Sequence, residues 1–404
     1  MAPEPTGGRK GAWAVTSSRG RASHPMVDLF AGCGGGSIGF RQAGLMPVAA
    51  VEIDPHAAAA YEANLGIAPI VRDVRLVTGD QLMTSTGLGP GECTVLFGCP
   101  PCQSFTSLRK GAPATSRDRR RNTLYLDYLR LVDEVRPRHI AFENVPGMLS
   151  QRWHPHFAAF LGQLEDIGYR ADWIVLDAAD YGVPQHRRRV LVVGSRVTRP
   201  ILPAPTHFSD PRDKRRRRHV TVRQAIGDCP PLGIGGRDPK DPLHEARLHS
   251  DMALRRLRAI PEGGARADLP PELQLDCHKG HSGHYDIYGR MWWDKPAPTL
   301  TSGCTNITRG RFAHPEQDRA ITLREAMLLQ SFPKRSTLSG TLDAMALQVG
   351  NAIPPLLARR IGEAVLEMEA LSRRPHRRRT PATTETTRVP SRSTASRSLA
   401  SSST

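Results

Sequence analysis

A cysteine becomes a useful nucleophile when a stiff backbone presents it near a base or a positive charge. Cys102 lies in such a stretch, Gly98-Cys99-Pro100-Pro101-Cys102-Gln103-Ser104-Phe105. Two prolines fix φ just before it. The apolar run Thr94-Val95-Leu96-Phe97 reads as a buried strand, so the thiol falls just past a strand end, where α/β enzymes place their reacting groups. Two other apolar runs carry polar sets at their ends. His139-Ile140-Ala141-Phe142 delivers Glu143 and Asn144, and Gln185-His186-Arg187-Arg188-Arg189 leads into Val190-Leu191-Val192-Val193. A thiol, a carboxyl group and a pair of arginines at neighbouring strand tips suit covalent catalysis on an electrophilic carbon.

A second group of residues suits a bound nucleotide-like ligand. The short strand from Pro25 to Phe30 runs into the turn Ala31-Gly32-Cys33-Gly34-Gly35-Gly36-Ser37 and then a helix closed by Gly44. Glycines let a ligand approach the backbone, and a helix N-terminus offers free N–H groups. Glu52, at the tip of the next strand, is placed to accept hydrogen bonds from ribose hydroxyls. Asp73 follows Ile70-Val71 and is a candidate for an adenine amino group. By spacing alone the turn serves a nicotinamide, a flavin or S-adenosylmethionine equally well, or is only a tight turn. Glu52 is then an exposed strand-end acid and Asp73 a turn cap.

The elements that must position these residues alternate strand and helix from 25 to 198, which argues for a doubly wound, mostly parallel α/β sheet. Residues 199–342 are rich in Pro, Gly, His and Arg with little periodicity, and read as a smaller irregular domain. Within it, Cys277-His278-x2-His281-x2-His284 has poor zinc spacing, so no metal is expected. Trp292 and Trp293 could stack on a base, but burial in a small core is the expectation. Thr322-Leu323-Arg324-Glu325 is a capping box opening a helix to Gln330. Gln348 to Pro355 begins a long amphipathic helix through Met368, part of a returning segment 343–370. Residues 1–24 and the Arg/Ser/Thr-rich 371–404 read as disordered arms.

The formal net charge of the 404 residues is +17, of which the tail from Leu371 holds +7 and the first 24 residues +3. The remaining body is still basic, which fits either a phosphate-rich partner or a solvated basic surface. The seven cysteines are irregularly spaced and suggest reduced thiols rather than a disulfide framework. No apolar run is long enough to span a bilayer, and no signal-peptide core is present, so a cytoplasmic enzyme is expected.

Six of these segments, in this order, resemble the motifs of the cytosine-5 DNA methyltransferases over roughly 25–370. Asp28-Leu29-Phe30-Ala31-Gly32 resembles the S-adenosylmethionine loop. Pro101-Cys102-Gln103 resembles the nucleophile motif, Glu143-Asn144-Val145 the second catalytic motif and Gln185-x-Arg187-x-Arg189 the third. Arg319 to Pro333 resembles the motif after the recognition region, and Gly350-Asn351-Ala352 the closing motif. Two departures stand out: Cys99 occupies a position where Gly is usual, and His186 falls between Gln185 and Arg187.

The resemblance implies a class I methyltransferase fold with a target-recognition domain, and methyl transfer from S-adenosylmethionine to carbon 5 of a flipped-out cytosine in duplex DNA. It makes Cys102 the nucleophile at carbon 6 and Glu143 the partner of ring nitrogen 3. Arg187 and Arg189 orient the base and thiol side, and Asn144 orders the loop. On the cofactor side it assigns Phe30 to stacking on adenine, with Ala31, Gly32, Gly34 and Gly35 lining the turn. Glu52 and Ile53 are given the ribose, Asp73 and Val74 the adenine, and Pro101 and Asn351 the methionine end. Gln103, Ser104, Arg109, Gln185, Thr299 and Leu300 fall to substrate binding. A bacterial, nucleoid-associated monomer is expected, with room for a separate cognate restriction endonuclease. An RNA cytosine-5 methyltransferase of the same fold is the alternative. A nicotinamide oxidoreductase gives no reason for Pro101-Cys102-Gln103 together with Glu143-Asn144-Val145. A DNA-binding regulator with a silent site gives none for an intact Cys102 and Glu143.

Overall fold

Strands that are apolar on both faces belong inside a covered sheet, and β1 (Pro25–Leu29) is buried at every position. The computed structural model describes residues 23–101, 123–210, 216–275 and 285–373. In it β1 joins β2 (Met46–Glu52), β3 (Ile70–Val71), β4 (Val95–Gly98), β5 (His139–Asn144), β6 (Arg170–Asp177) and β7 (Arg188–Ser195). The seven strands are ordered β3-β2-β1-β4-β5-β7-β6. Strands β1 to β5 pair in parallel, and β7 is antiparallel to both its neighbours. β6 reaches β7 through a single 3-10 turn, Ala178–Tyr181, and an antiparallel neighbour needs no crossover helix. The order reverses between β1 and β4, so a crevice opens at their carboxyl ends.

Helices α1 (Gly35–Ala43), α2 (Pro55–Leu65), α3 (Gly79–Thr86), α4 (Leu124–Val135) and α5 (His154–Asp166) cover the sheet. On one face Tyr128, Phe142 and Phe160 form a tilted aromatic cluster, with Phe142 and Phe160 ring centres 4.5 Å apart. Sequence periodicity did not anticipate α3. Its eight residues are too short for a clear apolar stripe, and its start is set by a Thr78–Gln81 capping box.

The segment after the sheet is irregular, as its composition suggests. Its elements are short: β8 (His207–Phe208), β9 (Arg217–Arg218), α6 (Val222–Ile226), β10 (Arg237–Asp238), β11 (Asp241–Glu245), α7 (Asp251–Arg258) and α8 (Leu323–Leu329). With few ladders to satisfy buried carbonyls, buried guanidinium groups do so. Arg290 donates to the carbonyls of Leu257, Ile260, His314 and Gln317 at 2.8–3.1 Å. Arg319, 1 % exposed, makes a two-pronged ion pair with Glu325 at 2.7 Å.

The long helix expected from Gln348 is two helices. α9 (Leu342–Asn351) ends where Ala352 turns extended, and α10 (Pro355–Ser372) begins at Pro355. Pro354 has no N–H to give, and proline disfavours helical backbone in the residue before it. α10 then returns to the sheet and packs in one core with Phe97 and Val193 of the sheet and Phe40 of α1. Residues 1–22 and 374–404 of the expected arms lie outside the described residues. So do 102–122, with Cys102, Gln103, Ser104 and Arg109, and 276–284, with Cys277, His278, His281 and His284.

Candidate active site

Parallel register sets Gly98 of β4 beside Phe142 of β5, which brings the next residues, Cys99 and Glu143, together at the strand tips. The Glu143 side chain is almost wholly buried. Cys99 Sγ donates to its Oε2 at 2.8 Å. On the far side of β5, Leu191 of β7 lies opposite Glu143. Arg189, two residues away, therefore projects from the same face. Its Nε lies 2.9 Å from Glu143 Oε1. The carboxyl group thus takes a hydrogen bond from the β4 exit and an ion pair from β7, and its Oε1 makes no hydrogen bond. Asn144 ties the same tips together, its Nδ2 donating to the Pro100 carbonyl at 3.4 Å and its Oδ1 accepting from Val145 N at 2.8 Å. Pro101 is exposed. Cys102, Gln103, Ser104 and Arg109 lie outside the described residues.

Arg187 does not share the position of Arg189. It precedes β7, and its buried guanidinium donates to the carbonyls of Leu300 and Gly350 at 3.2–3.3 Å. Gln185 is also buried; its Oε1 accepts from Leu300 N at 3.0 Å and its Nε2 donates to Leu329 O at 3.4 Å. Thr299 Oγ1 donates to the His186 carbonyl at 2.7 Å. The Gln185–Arg187 and Thr299–Leu300 pairs, two sets predicted to meet substrate, are joined into one brace that fixes α9 and the 297–300 segment beside the β7 tip.

At the crevice, the turn after β1 needs left-handed backbone at Gly32 (φ 55°) and Gly34 (φ 93°), and Phe30 adopts φ 60° without being glycine. Such backbone in a bulky residue is uncommon and collects at ligand sites. A Cβ on Gly35 would stand 2.3 Å from the Ile353 carbonyl, which fixes the turn against the start of α10. Ala31 is buried beneath it. Glu52 accepts from Gly32 N at 2.7 Å and from Ile53 N and Asp54 N at 2.9 Å, and burial raises its pKa. Ile53 beside it is 63 % exposed.

Asp28 was not singled out from the sequence because it hides within an apolar run. It is buried, Oδ2 accepts from Ser37 Oγ at 2.6 Å, and Oδ1 has no hydrogen-bond partner. Burial pushes its pKa up to about 7. Asp73 takes the turn-capping role left open by its spacing. Its carboxylate is paired with Arg75, accepts from Arg75 N at 3.1 Å, and opens the turn in which Val74 is buried. Hydrogen bonds from Arg75 hold its carboxyl below the usual range. Asn351 is exposed at the end of α9.

Residues 25–367 match the family described as C-5 cytosine-specific DNA methylase. The chain belongs to that family. It is similar to the type II methylase M.HgiDII of Herpetosiphon aurantiacus, 38 % identical over 84 % of this chain and 94 % of that protein. It is 35 % identical to the type II methyltransferase M1.HphI of Haemophilus parahaemolyticus, over 85 % and 86 % of the two. A crystal structure of an E. coli prophage-encoded DNA modification methyltransferase shares the fold, with TM-score 0.63 and 23 % identity over 86 % of this chain and all of that one. The chain is accordingly a DNA cytosine-5 methyltransferase.

In this methylase an open groove runs beside the brace, lined by Asp177, His186, Arg188, Trp292, Lys295 and Thr299. His186 pairs with Asp177 at 2.9 Å, and that hydrogen bond raises its pKa. Both tryptophans are half-buried, and Trp293 packs against the core that includes Met291, Leu300 and Phe312. The Trp292 ring lies against Arg311 (4.2 Å) and Lys295 (4.5 Å), and Trp293 against Arg223 (5.1 Å). Stacking on cations lets an indole stay partly open to solvent. Among the described residues, no helix is long and apolar enough to cross a membrane.

Proposed function

We propose that this methylase transfers a methyl group from S-adenosylmethionine to carbon 5 of a cytosine flipped out of a specific duplex DNA sequence, through a covalent adduct of Cys102. The observation that carries the reading is the buried Glu143 carboxylate, set between β4 and β7 three residues of chain from Cys102's own strand exit at Cys99. Carbon 5 of cytosine is a poor nucleophile. A thiolate adding to carbon 6 forms the C–S bond and makes carbon 5 enamine-like. Glu143, entering this step as the carboxylic acid, gives ring nitrogen 3 the proton that neutralises the charge the ring takes up, with the Arg189 guanidinium beside it. Loss of the carbon 5 proton and breakage of the C–S bond then restore the ring. A base stacked in a duplex cannot reach a thiol, so it must leave the helix at a cost of about a few kcal/mol.

The crevice residues fit the cofactor. Asp28 keeps one buried acceptor without a partner, suited to a cationic ligand. Glu52 offers carboxylate oxygens at the second strand tip, and Phe30 and the exposed Ile53 offer apolar surface for a flat ring. Asp73, Val74, Pro101 and Asn351 would complete the enclosure, and the cofactor supplies an electrophilic methyl group. Residues 199–342 are proposed to read the target, with the Trp292–Lys295 groove toward DNA. The type II names of the relatives support a restriction–modification role with a separate endonuclease, in a bacterial cytoplasm. Labelled S-adenosylmethionine, mixed-sequence duplex DNA and Cys102→Ser in parallel test the reading. Label on cytosine carbon 5 within one short motif, absent in the variant, is expected. Label on RNA alone would overturn the substrate.

A further inference from the structure

The Glu143 carboxylate has two anchors, and only one of them belongs to the motifs recognised in the sequence. Arg189, from β7, reaches Oε1 at 2.9 Å. The other is the thiol of Cys99, which reaches Oε2 at 2.8 Å from the exit of β4. A carboxylate held at one oxygen still turns about its last torsion, because that torsion is broad. The Arg189 contact is an ion pair that leaves Oε1 without a hydrogen bond, so the directional hydrogen bond from Cys99 to the other oxygen, arriving from the opposite strand, is what fixes the plane of the group. A glycine at 99 would have no side chain to do so.

Cys99 is well placed for this task by its backbone. It follows Gly98, whose own Cβ would stand 2.5 Å from the Tyr128 ring, so the strand exit is pinned close against α4. The Asn144 side chain then ties Pro100 to the β5 tip. The thiol is therefore delivered to Glu143 by a segment fixed on both sides of it. As a neutral donor it adds no charge to the site, and it occupies only one lone pair of Oε2.

We propose that Cys99 is a positioning residue for Glu143: its thiol hydrogen bond sets the orientation in which that carboxylate meets the target cytosine. The inference rests on the reading of Glu143 as the group at ring nitrogen 3. Removing the thiol leaves Glu143 present but free to turn, so the addition step slows while the DNA contacts stay.

The test uses the full chain with Cys99→Ala, Cys99→Ser and Glu143→Gln. The readouts are kcat and KM for duplex DNA in methyl transfer, and release of tritium from cytosine carbon 5, which reports thiol addition. For Cys99→Ala we expect kcat and tritium release to fall about three- to tenfold, the effect of one hydrogen bond, with KM for DNA unchanged. Cys99→Ser, which retains a donor, is expected to recover most of the rate. Wild-type rates in Cys99→Ala would overturn the proposal. So would a Cys99→Ser variant as slow as Cys99→Ala, since packing rather than the donor would then matter. If Glu143→Gln loses activity while Cys99→Ala does not, only the inference about Cys99 fails. If Glu143→Gln is fully active, the reading of Glu143 itself fails.

Discussion

The two arginines of Gln185-x-Arg187-x-Arg189 have the same chemistry and opposite surroundings. Arg189 reaches Glu143, whereas Arg187 is spent on the carbonyls of Leu300 and Gly350. Replacing each with methionine should separate them. Arg187→Met leaves buried carbonyls without donors and should cost about 2–4 kcal/mol in stability, read by denaturant unfolding. Arg189→Met should lower kcat by about tenfold or more with little change in unfolding midpoint, since it removes the cation paired with the carboxyl group proposed to act on the base. If Arg189→Met loses stability and retains rate, the assignment is reversed. Residue types marked Glu143 as a strand-tip carboxyl group, and the structure sets it at the tip of β5; for Glu52 they left an exposed strand-end acid equally open. They could not separate Arg187 from Arg189, whose difference is only which distant atoms lie within reach. Asp28 was hidden for the same reason, since its burial and its unpartnered oxygen are tertiary facts.

At the scale of elements, the sheet was legible because its strands are continuous apolar runs separated by helical periods, and the capping box at Thr322 forms as read. The break between α9 and α10 was readable from Pro354 and Pro355 but was absorbed into one amphipathic pattern. What no pattern gives is how closely helices approach. α1 lies against α10 with Gly39 at the contact, where an added Cβ would stand 2.2 Å from the Pro355 carbonyl and 2.5 Å from Ala358 Cβ. Backbone cannot yield as a flexible side chain can, so Gly39→Ala should destabilise by about 1–3 kcal/mol or more despite alanine's better helix propensity. Gly162, inside α5, faces open space. Gly162→Ala should stabilise by about 0.5–1 kcal/mol. Thermal unfolding of both variants checks the pair, and equal signs would mean that the α1–α10 contact is looser than its geometry.

For the molecule as a whole, charge serves folding before it serves a partner. Asp28 holds its proton up to about 7 when folded, against 3.8 ordinarily, so its contribution is complete below 3.8 and is lost as pH rises toward 7. Glu369 on α10 runs the other way. Hydrogen bonds from His139 and Arg138 outweigh its burial and lower it from 4.5 to about 2, so its contribution is present above 4.5 and lost as pH falls toward 2. Denaturant unfolding across this range should lose its slope between pH 4 and 7 in Asp28→Asn, and part of its acid limb in Glu369→Gln. The basic body bears on DNA in the same light. Arg187, Arg290 and Arg319 are buried and hold carbonyls or Glu325, so a part of the positive charge counted from sequence cannot meet phosphate. The segment after Arg373 carries seven further arginines and one glutamate. Each phosphate contact steepens the dependence of log affinity on log salt by about 0.9. Ending the chain at Arg373 should therefore weaken DNA binding at low salt and flatten that slope, while kcat and the methylated sequence stay as they were. Anisotropy titrations from roughly 50 to 200 mM salt would read it. An unchanged slope would mean that these arginines touch no phosphate, and that the groove-lining Arg188 and Lys295 belong to the set that carries the electrostatic attraction.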